Sequence, residues 1–293
     1  MTRRCSLYRV VSPMAVFFLC RLLPFVSLLI ALTALGGCAS LAPSADRGSD
    51  TAPQAAAFAP SAADRSSLRQ TADTLRRTPL TGRVMRVDTI DDIRLGPKEV
   101  ILTFDDGPAG QNTRRILDAL DAKGIKATFF MVGEMARNNP ALARNVVARG
   151  HTVGSHTYGH PNLAAMSHAD AVAEIARGER ALREAGIADL PFFRFPYLAD
   201  TTALRGHLAA RGIVVVDVDI DSKDYFRISP VRVATRTMRD LRRRGSGIIL
   251  FHDLHARTAT MLPTFLNMLE REGYKVVALQ PARGNPALVA AAR

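Results

Sequence analysis

Residues 97–133 read PKEVILTFDDGPAGQNTRRILDALDAKGIKATFFMVG, and their pattern decides the fold. Val100 to Phe104 is a short β-rich run, Asn112 to Ala122 is patterned as a helix, and Ala127 to Val132 is β-rich again. Strand, helix and strand in succession build a parallel sheet, because a parallel neighbour is reached only through a crossover connection. The alternation continues, with strands predicted at His151 to Ser155, Phe192 to Phe195, Ile213 to Val218, Gly247 to Phe251 and Lys275 to Leu279. The matching helices are Ala141 to Arg149, Ala169 to Ala185, Thr202 to Arg211, Pro230 to Arg243 and Ala259 to Glu272. Ser167 opens one of them with a capping pattern and Gly186 closes it. About 185 residues are too few for an eight-unit barrel. The expected fold is α/β, an irregular (β/α) barrel of about seven parallel strands, as a single catalytic domain over residues 96–280.

The N-terminus is of another kind. Its first 37 residues hold Arg3, Arg4, Arg9 and Arg21, no acid, and an apolar run from Leu22 to Leu35 that ends in Gly36-Gly37-Cys38. That is the layout of a secretory signal. Leu35-Gly36-Gly37-Cys38 is similar to a bacterial lipoprotein signal, which implies a signal peptide over 1–37 and a lipid on Cys38. An uncleaved anchor from Ala15 to Leu35 is the alternative, with Arg21 and Pro24 inside it against that reading. Either way the expectation is an exported, membrane-anchored protein of the cell envelope, facing the periplasm. Cys5, Cys20 and Cys38 are the only cysteines, so the body is expected to hold no thiol and no disulfide. Residues 38–67, rich in Ala, Pro, Ser and Asp, cannot repay the entropy of ordering and read as a tether. Residues 68–95 read as an irregular lead-in with a short amphipathic helix from Leu68 to Arg76, and residues 281–293 as a tail. The formal charge of +12 falls to +8 when the four leader arginines are lost. A basic exterior suits nucleic acid, anionic lipid or an anionic wall polymer, and export makes nucleic acid the poorest of the three.

In a β/α barrel the reactive groups gather at the C-terminal ends of the strands. This chain places Asp105-Asp106-Gly107-Pro108, then His156 and His160, then Arg194-Phe195-Pro196-Tyr197, then Asp221 to Tyr225, then His252-Asp253 at five such ends. Two imidazoles from H-x3-H with one carboxylate give the ligand number of a catalytic zinc site with a position left open, and other divalent ions suit such a set too. Each piece alone is common: the histidines as a loop pair, Asp-Asp-Gly-Pro as a turn. Turn chemistry does not require them all at one end of one sheet. His151, His168, His207 and His255 fall in no motif and read as surface or supporting groups, with His255 near enough to the active loop to meet a substrate.

TFDDGP at 103–108, SHTYGHPNL at 155–163, RFPY at 194–197, DSKDY at 221–225 and IILFHD at 248–253 occur in that order. On these motifs the chain resembles the polysaccharide deacetylases of carbohydrate esterase family four, the nodulation protein B homology domain. The resemblance implies hydrolysis of N-acetyl groups on an N-acetylglucosamine-containing glycan: peptidoglycan, a secreted N-acetylglucosamine polymer or chitooligosaccharide. It implies Asp106, His156 and His160 as ligands of a divalent metal, zinc first, with cobalt, nickel or manganese as substitutes. Asp105 is then the base that takes a proton from metal-bound water, and Arg194 its partner. His252 is the acid that protonates the departing amine, and Asp224 orients it. The Tyr197 backbone N–H meets the oxyanion, and Leu250 and Tyr225 line the acetyl pocket. Phe195, Leu198 and Tyr225 depart from the family's usual Pro, Gly and Trp, which leaves substrate choice open. O-deacetylation of a glycan such as xylan, and a non-catalytic carbohydrate-binding lipoprotein, are the rival expectations.

Overall fold

A computed structural model describes residue 61 and residues 79–282. The signal segment, Cys38, nearly all of the tether, the Leu68 to Arg76 helix and residues 283–293 lie outside the described residues.

Nine strands are present among the described residues: β1 (Thr81–Val87), β2 (Glu99–Asp105), β3 (Thr128–Met131), β4 (Thr152–Ser155), β5 (Phe192–Phe193), β6 (Val214–Val215), β7 (Ile220–Asp221), β8 (Gly247–His252) and β9 (Lys275–Pro281). Every strand pairing is parallel. Seven helices connect or flank them: α1 (Gly110–Asp121), α2 (Gly133–Asn138), α3 (Pro140–Ala148), α4 (His168–Glu184), α5 (Thr202–Ala209), α6 (Pro230–Arg244) and α7 (Ala256–Arg271). The curled sheet runs β6-β5-β4-β3-β2-β8-β7, seven parallel strands as expected.

The pleat decides which side chains enter the barrel. Along β2, Val100, Leu102 and Phe104 face the helices, where they join Ile116, Leu120 and Phe265 in the main core, while Ile101 joins the interior cluster. Along β8, Ile249 and Phe251 face outward and Ile248 inward. Thr103 pairs with Leu250 and Asp105 with His252 in the β2–β8 register. The same alternation that buries Ile101 and Ile248 therefore aims Asp105 and His252 into the mouth of the barrel.

Three elements differ from expectation. The described part of the lead-in holds a strand: β1 pairs with β9, and Met85 and Val87 of β1 enter the interior cluster with Val277 and Leu279 of β9. These two strands cover the N-terminal end of the barrel, β9 touching β2 only at Glu99 and Val100. The strand expected from Ile213 to Val218 is cut to Val214–Val215 and followed by a second short strand beyond it, β6 pairing with β5 and β7 with β8, so one stretch of chain serves both edges of the curled sheet. β7 replaces β9 as the seventh barrel strand. His151, expected at the surface or in support of the site, is 2% exposed in the core, its Nδ1 accepting the Ala127 N–H at 3.1 Å.

Candidate active site

The strand ends and βα loops converge on a cavity of about 460 Å³ lined by residues from all five motifs, among them Asp105, Asp106, His156, His160, Tyr197, Tyr225, Leu250 and His252. Arg194 and Asp224 stand behind this wall, each 0% exposed.

Asp106, His156 and His160 each offer one ligand atom, all within 4.8 Å of one another. Asp106 Oδ1 is 3.5 Å from His156 Nε2 and 3.3 Å from His160 Nε2. Two ligands bound at 2.0–2.1 Å in tetrahedral geometry stand about 3.3 Å apart, so the set fits a small divalent ion. The fit has independent support: Asp106 Oδ1 is buried with no hydrogen-bond partner, a costly condition unless a cation meets it. His156 Nδ1 contacts the Arg194 carbonyl at 2.7 Å, which places its proton there and leaves the Nε2 lone pair toward the cluster. Burial lowers the His156 pKa to about 3, keeping the imidazole neutral as a ligand must be. The backbone is bent to aim these groups, with φ of 76° at Asp106 and 59° at His160, a conformation non-glycine residues seldom adopt away from functional sites.

Arg194 forms the floor. Its Nη1 donates to Asp105 Oδ1 at 2.8 Å and to Thr103 Oγ1 at 2.7 Å, its Nε donates to the Val216 carbonyl at 3.0 Å, and it stacks over Phe130 at 4.2 Å. Burial raises the pKa of Asp105, with the Arg194 guanidinium and the His252 imidazole opposing it. The result is a carboxylate more basic than an exposed one, held to one rotamer by its partner.

Opposite lies His252, whose Nδ1 is 2.6 Å from Asp224 Oδ1 while its backbone N–H donates to Asp224 Oδ2 at 2.8 Å. Thr258 Oγ1 donates to the same Oδ2 at 2.5 Å. Burial works to lower the His252 pKa, but Asp224, with Asp105 and Asp106 behind it, outweighs burial and lifts it to about 9. Burial likewise works to raise the Asp224 pKa and is outweighed by the His252 and Thr258 bonds. Tyr225 stands edge-on to His252 at 5.6 Å, its hydroxyl donating to Asp221 Oδ2 at 2.8 Å, and Leu250 closes the wall.

A family model for polysaccharide deacetylases matches residues 92–216. The chitin deacetylase of Colletotrichum lindemuthianum is 33% identical over 71% of this chain and 88% of its own length. The chain belongs to the polysaccharide deacetylase family. A peptidoglycan-N-acetylglucosamine deacetylase of Listeria monocytogenes is 30% identical over 64% of this chain and 39% of its own length, so the chain spans well under half of that relative. The peptidoglycan deacetylase structure from Bdellovibrio bacteriovorus superposes with a TM-score of 0.62 at 34% identity, covering 72% of this chain and 59% of that one.

In this polysaccharide deacetylase two of the three departures from the usual motifs, Leu198 and Tyr225, are exposed at the mouth, and the third, Phe195, is buried. Tyr197 is 68% exposed, with its ring 4.7 Å from that of His160, and Leu198 is 45% exposed beside it. Phe195 is buried and packs edge-on against Phe193. His255 does reach the cavity, 5.8 Å from the His252 ring. Sequence reasoning gave no role to Asp253, which is 1% exposed, accepts from Thr113 Oγ1 at 2.6 Å and leaves Oδ1 unpartnered. Burial, with Asp105 and Asp106 adding to it, pushes its pKa up to about 7. Its carboxylate lies where a Cβ on Gly107 would fall, 2.0 Å away. The glycine of Asp-Asp-Gly-Pro is therefore needed for this close approach. Asp253 adjoins His252 in sequence, but its contact with the β2 turn exists only in the fold.

Proposed function

We propose that this polysaccharide deacetylase hydrolyses N-acetyl groups of an N-acetylglucosamine-containing glycan in the cell envelope, releasing acetate and a free amine. The observation that carries the reading is the pairing of a buried carboxylate held by Arg194 with an imidazole held by Asp224 on register-matched ends of adjacent strands, beside the Asp106, His156 and His160 cluster. When bound, a divalent ion, zinc by preference, supplies Lewis-acid polarisation of the acetyl carbonyl and a lowered pKa for water. Asp105 takes a proton from the attacking water, whose oxygen bonds to the carbonyl carbon. The backbone N–H of Tyr197 donates to the oxyanion. His252, charged through Asp224, gives its proton to the glucosamine nitrogen as the C–N bond breaks. Leu250 and the Tyr225 ring enclose the acetyl methyl.

The signal-like N-terminus and Cys38 support an exported lipoprotein carried on the membrane. Among the described residues no helix is long and apolar enough to cross a membrane.

Purified protein with zinc or cobalt, offered chitin oligomers, peptidoglycan glycans and acetylxylan, tests the reading by acetate release. Amide substrates are expected to react, and the preferred one names the glycan class. Release from acetylxylan alone overturns the amide assignment, and no release from any substrate overturns the activity.

A further inference from the structure

Between His156 and His160 the chain must turn sharply, and Thr157 at φ 66° begins the turn. On one side the first amides of α2 hold the loop's carbonyls, Gly133 N donating to Thr157 O at 2.9 Å and Glu134 N to Tyr158 O at 3.0 Å. On the other side two side chains hold its amides: Thr157 Oγ1 accepts from His160 N at 3.0 Å, and one carboxylate takes the other two. Glu174 Oε1, on α4, accepts from Tyr158 N at 3.1 Å and from Gly159 N at 2.6 Å. Successive amides following a left-handed residue form a concavity that favours an anion, and here the anion comes from the next α-helix, 15 and 16 residues along the chain.

We propose that Glu174 is a positioning residue for the metal site: its carboxylate fixes the course of the His156–His160 loop, and so the separation and aim of the two imidazoles. This rests on the reading of Asp106, His156 and His160 as ligands of a divalent ion. Two further contacts from α4 reach the same turn. Arg177 lies over the Tyr158 ring at 3.6 Å, pressing a side chain that is 6% exposed. Gly178 approaches so closely that a Cβ there would stand 2.4 Å from the Thr157 carbonyl carbon. Helix α4 is thus docked directly on the loop backbone, and Glu174 supplies the directional part of the docking. Without it, the amides of Tyr158 and Gly159 lose their acceptor, and only the α2 amides and the Thr157 Oγ1 bond to His160 N are left to hold the turn in its strained conformation.

Titration of the metal-free protein with Co(II), read by its visible absorption, and with zinc, read by competition against a chromophoric chelator, tests the proposal. Glu174→Ala is expected to weaken binding about 10- to 100-fold, the usual effect of removing a group that orients a ligand, and to alter the Co(II) spectrum. Glu174→Gln keeps an oxygen able to accept both amides and is expected to bind within a few-fold of wild type. Glu184→Ala, at an exposed position on the same helix, is expected to bind as wild type does. A merely structural role lowers the melting temperature of the metal-free protein without changing the Co(II) spectrum or affinity of the folded molecules. Wild-type affinity in Glu174→Ala, or a loss in Glu174→Gln as large as in Glu174→Ala, overturns the proposal. Should Glu174→Ala fail to fold, Glu174→Asp, one methylene too short to keep both bonds, carries the test with the same two outcomes. A wild-type protein that binds no Co(II) defeats the ligand assignment itself, whereas binding unchanged by Glu174 variants defeats only the positioning role.

Discussion

At the scale of single residues, the site sets apart two titratable groups by their surroundings. Asp105 is fixed to Arg194 at 2.8 Å and His252 to Asp224 at 2.6 Å. The activity profile, kcat/KM against pH at saturating metal, is expected to be bell-shaped, with Asp105 governing the acid limb and His252 the alkaline one. Asp224→Asn removes the main support of the raised His252 pKa and should draw the alkaline limb down from about 9 toward the ordinary 6.5. Asp105→Asn and His252→Ala should each cut turnover by about 10²- to 10⁴-fold while leaving metal binding intact. Near-full amide activity in His252→Ala would remove it from the acid role. The same pair has a stability signature in the metal-free protein. The folded pKa of His252 lies above its unfolded value, so its stabilisation is complete below about 6.5 and is lost as pH rises through about 9. Urea unfolding across that window should show the loss in wild type and much less of it in Asp224→Asn. Metal analysis of the Asp106, His156 and His160 triple Ala variant should find no bound ion where wild type holds one, and equal stoichiometry in the two would dismiss the ligand set.

At the scale of elements, the barrel interior depends on one missing side chain. Gly154 of β4 faces Phe130, where an added Cβ would stand 2.7 Å from the ring and 2.8 Å from the Phe192 carbonyl oxygen. Phe130 in turn lies beneath Arg194. Gly154→Ala should destabilise the fold by about 1–3 kcal/mol, as overpacking does, and should lower activity by tilting the Arg194 support. Urea unfolding and turnover of the same preparation check both halves, and an unchanged midpoint would mean that the ring moves freely. β1 makes a second case. A chain beginning at Pro97 keeps every motif residue but loses Met85 and Val87 from the interior cluster and leaves β9 paired only with the start of β2. It is expected to unfold at lower urea than a chain beginning at residue 66, or to aggregate through the uncovered edge.

At the scale of the whole molecule, the N-terminal segment and the catalytic body are read by different physics. The lipoprotein reading rests on Leu35-Gly36-Gly37-Cys38, and the test is location. Processed protein is expected in the membrane fraction, and Cys38→Ser should release it, because several acyl chains at about 0.8 kcal/mol per buried CH₂ are what hold such a body in place. A Cys38→Ser protein as firmly membrane-bound as wild type would point to an uncleaved anchor instead.

The sequence by itself determined the parallel α/β architecture, because periodicity and βα alternation are local properties, and it marked Asp105, Asp106, His156, His160, Arg194, Asp224 and His252 because each stands at a strand end in a recognisable motif. Some elements were illegible for local reasons. β1 reads Thr-Gly-Arg-Val-Met-Arg-Val, with four of its seven residues exposed, and only pairing with β9 makes it a strand. β7 has two residues, too few for any periodic pattern. Tertiary structure alone decided that Asp105 faces His252 across a strand register, that His151 is a core residue, that Asp253 fills the space Gly107 leaves, and that Glu174 reaches the turn between the two histidines. Each of these is a contact between different elements, at separations from 15 residues for Glu174 upward, fixed by how helices and strands dock, and it leaves no trace in the spacing of neighbouring residues.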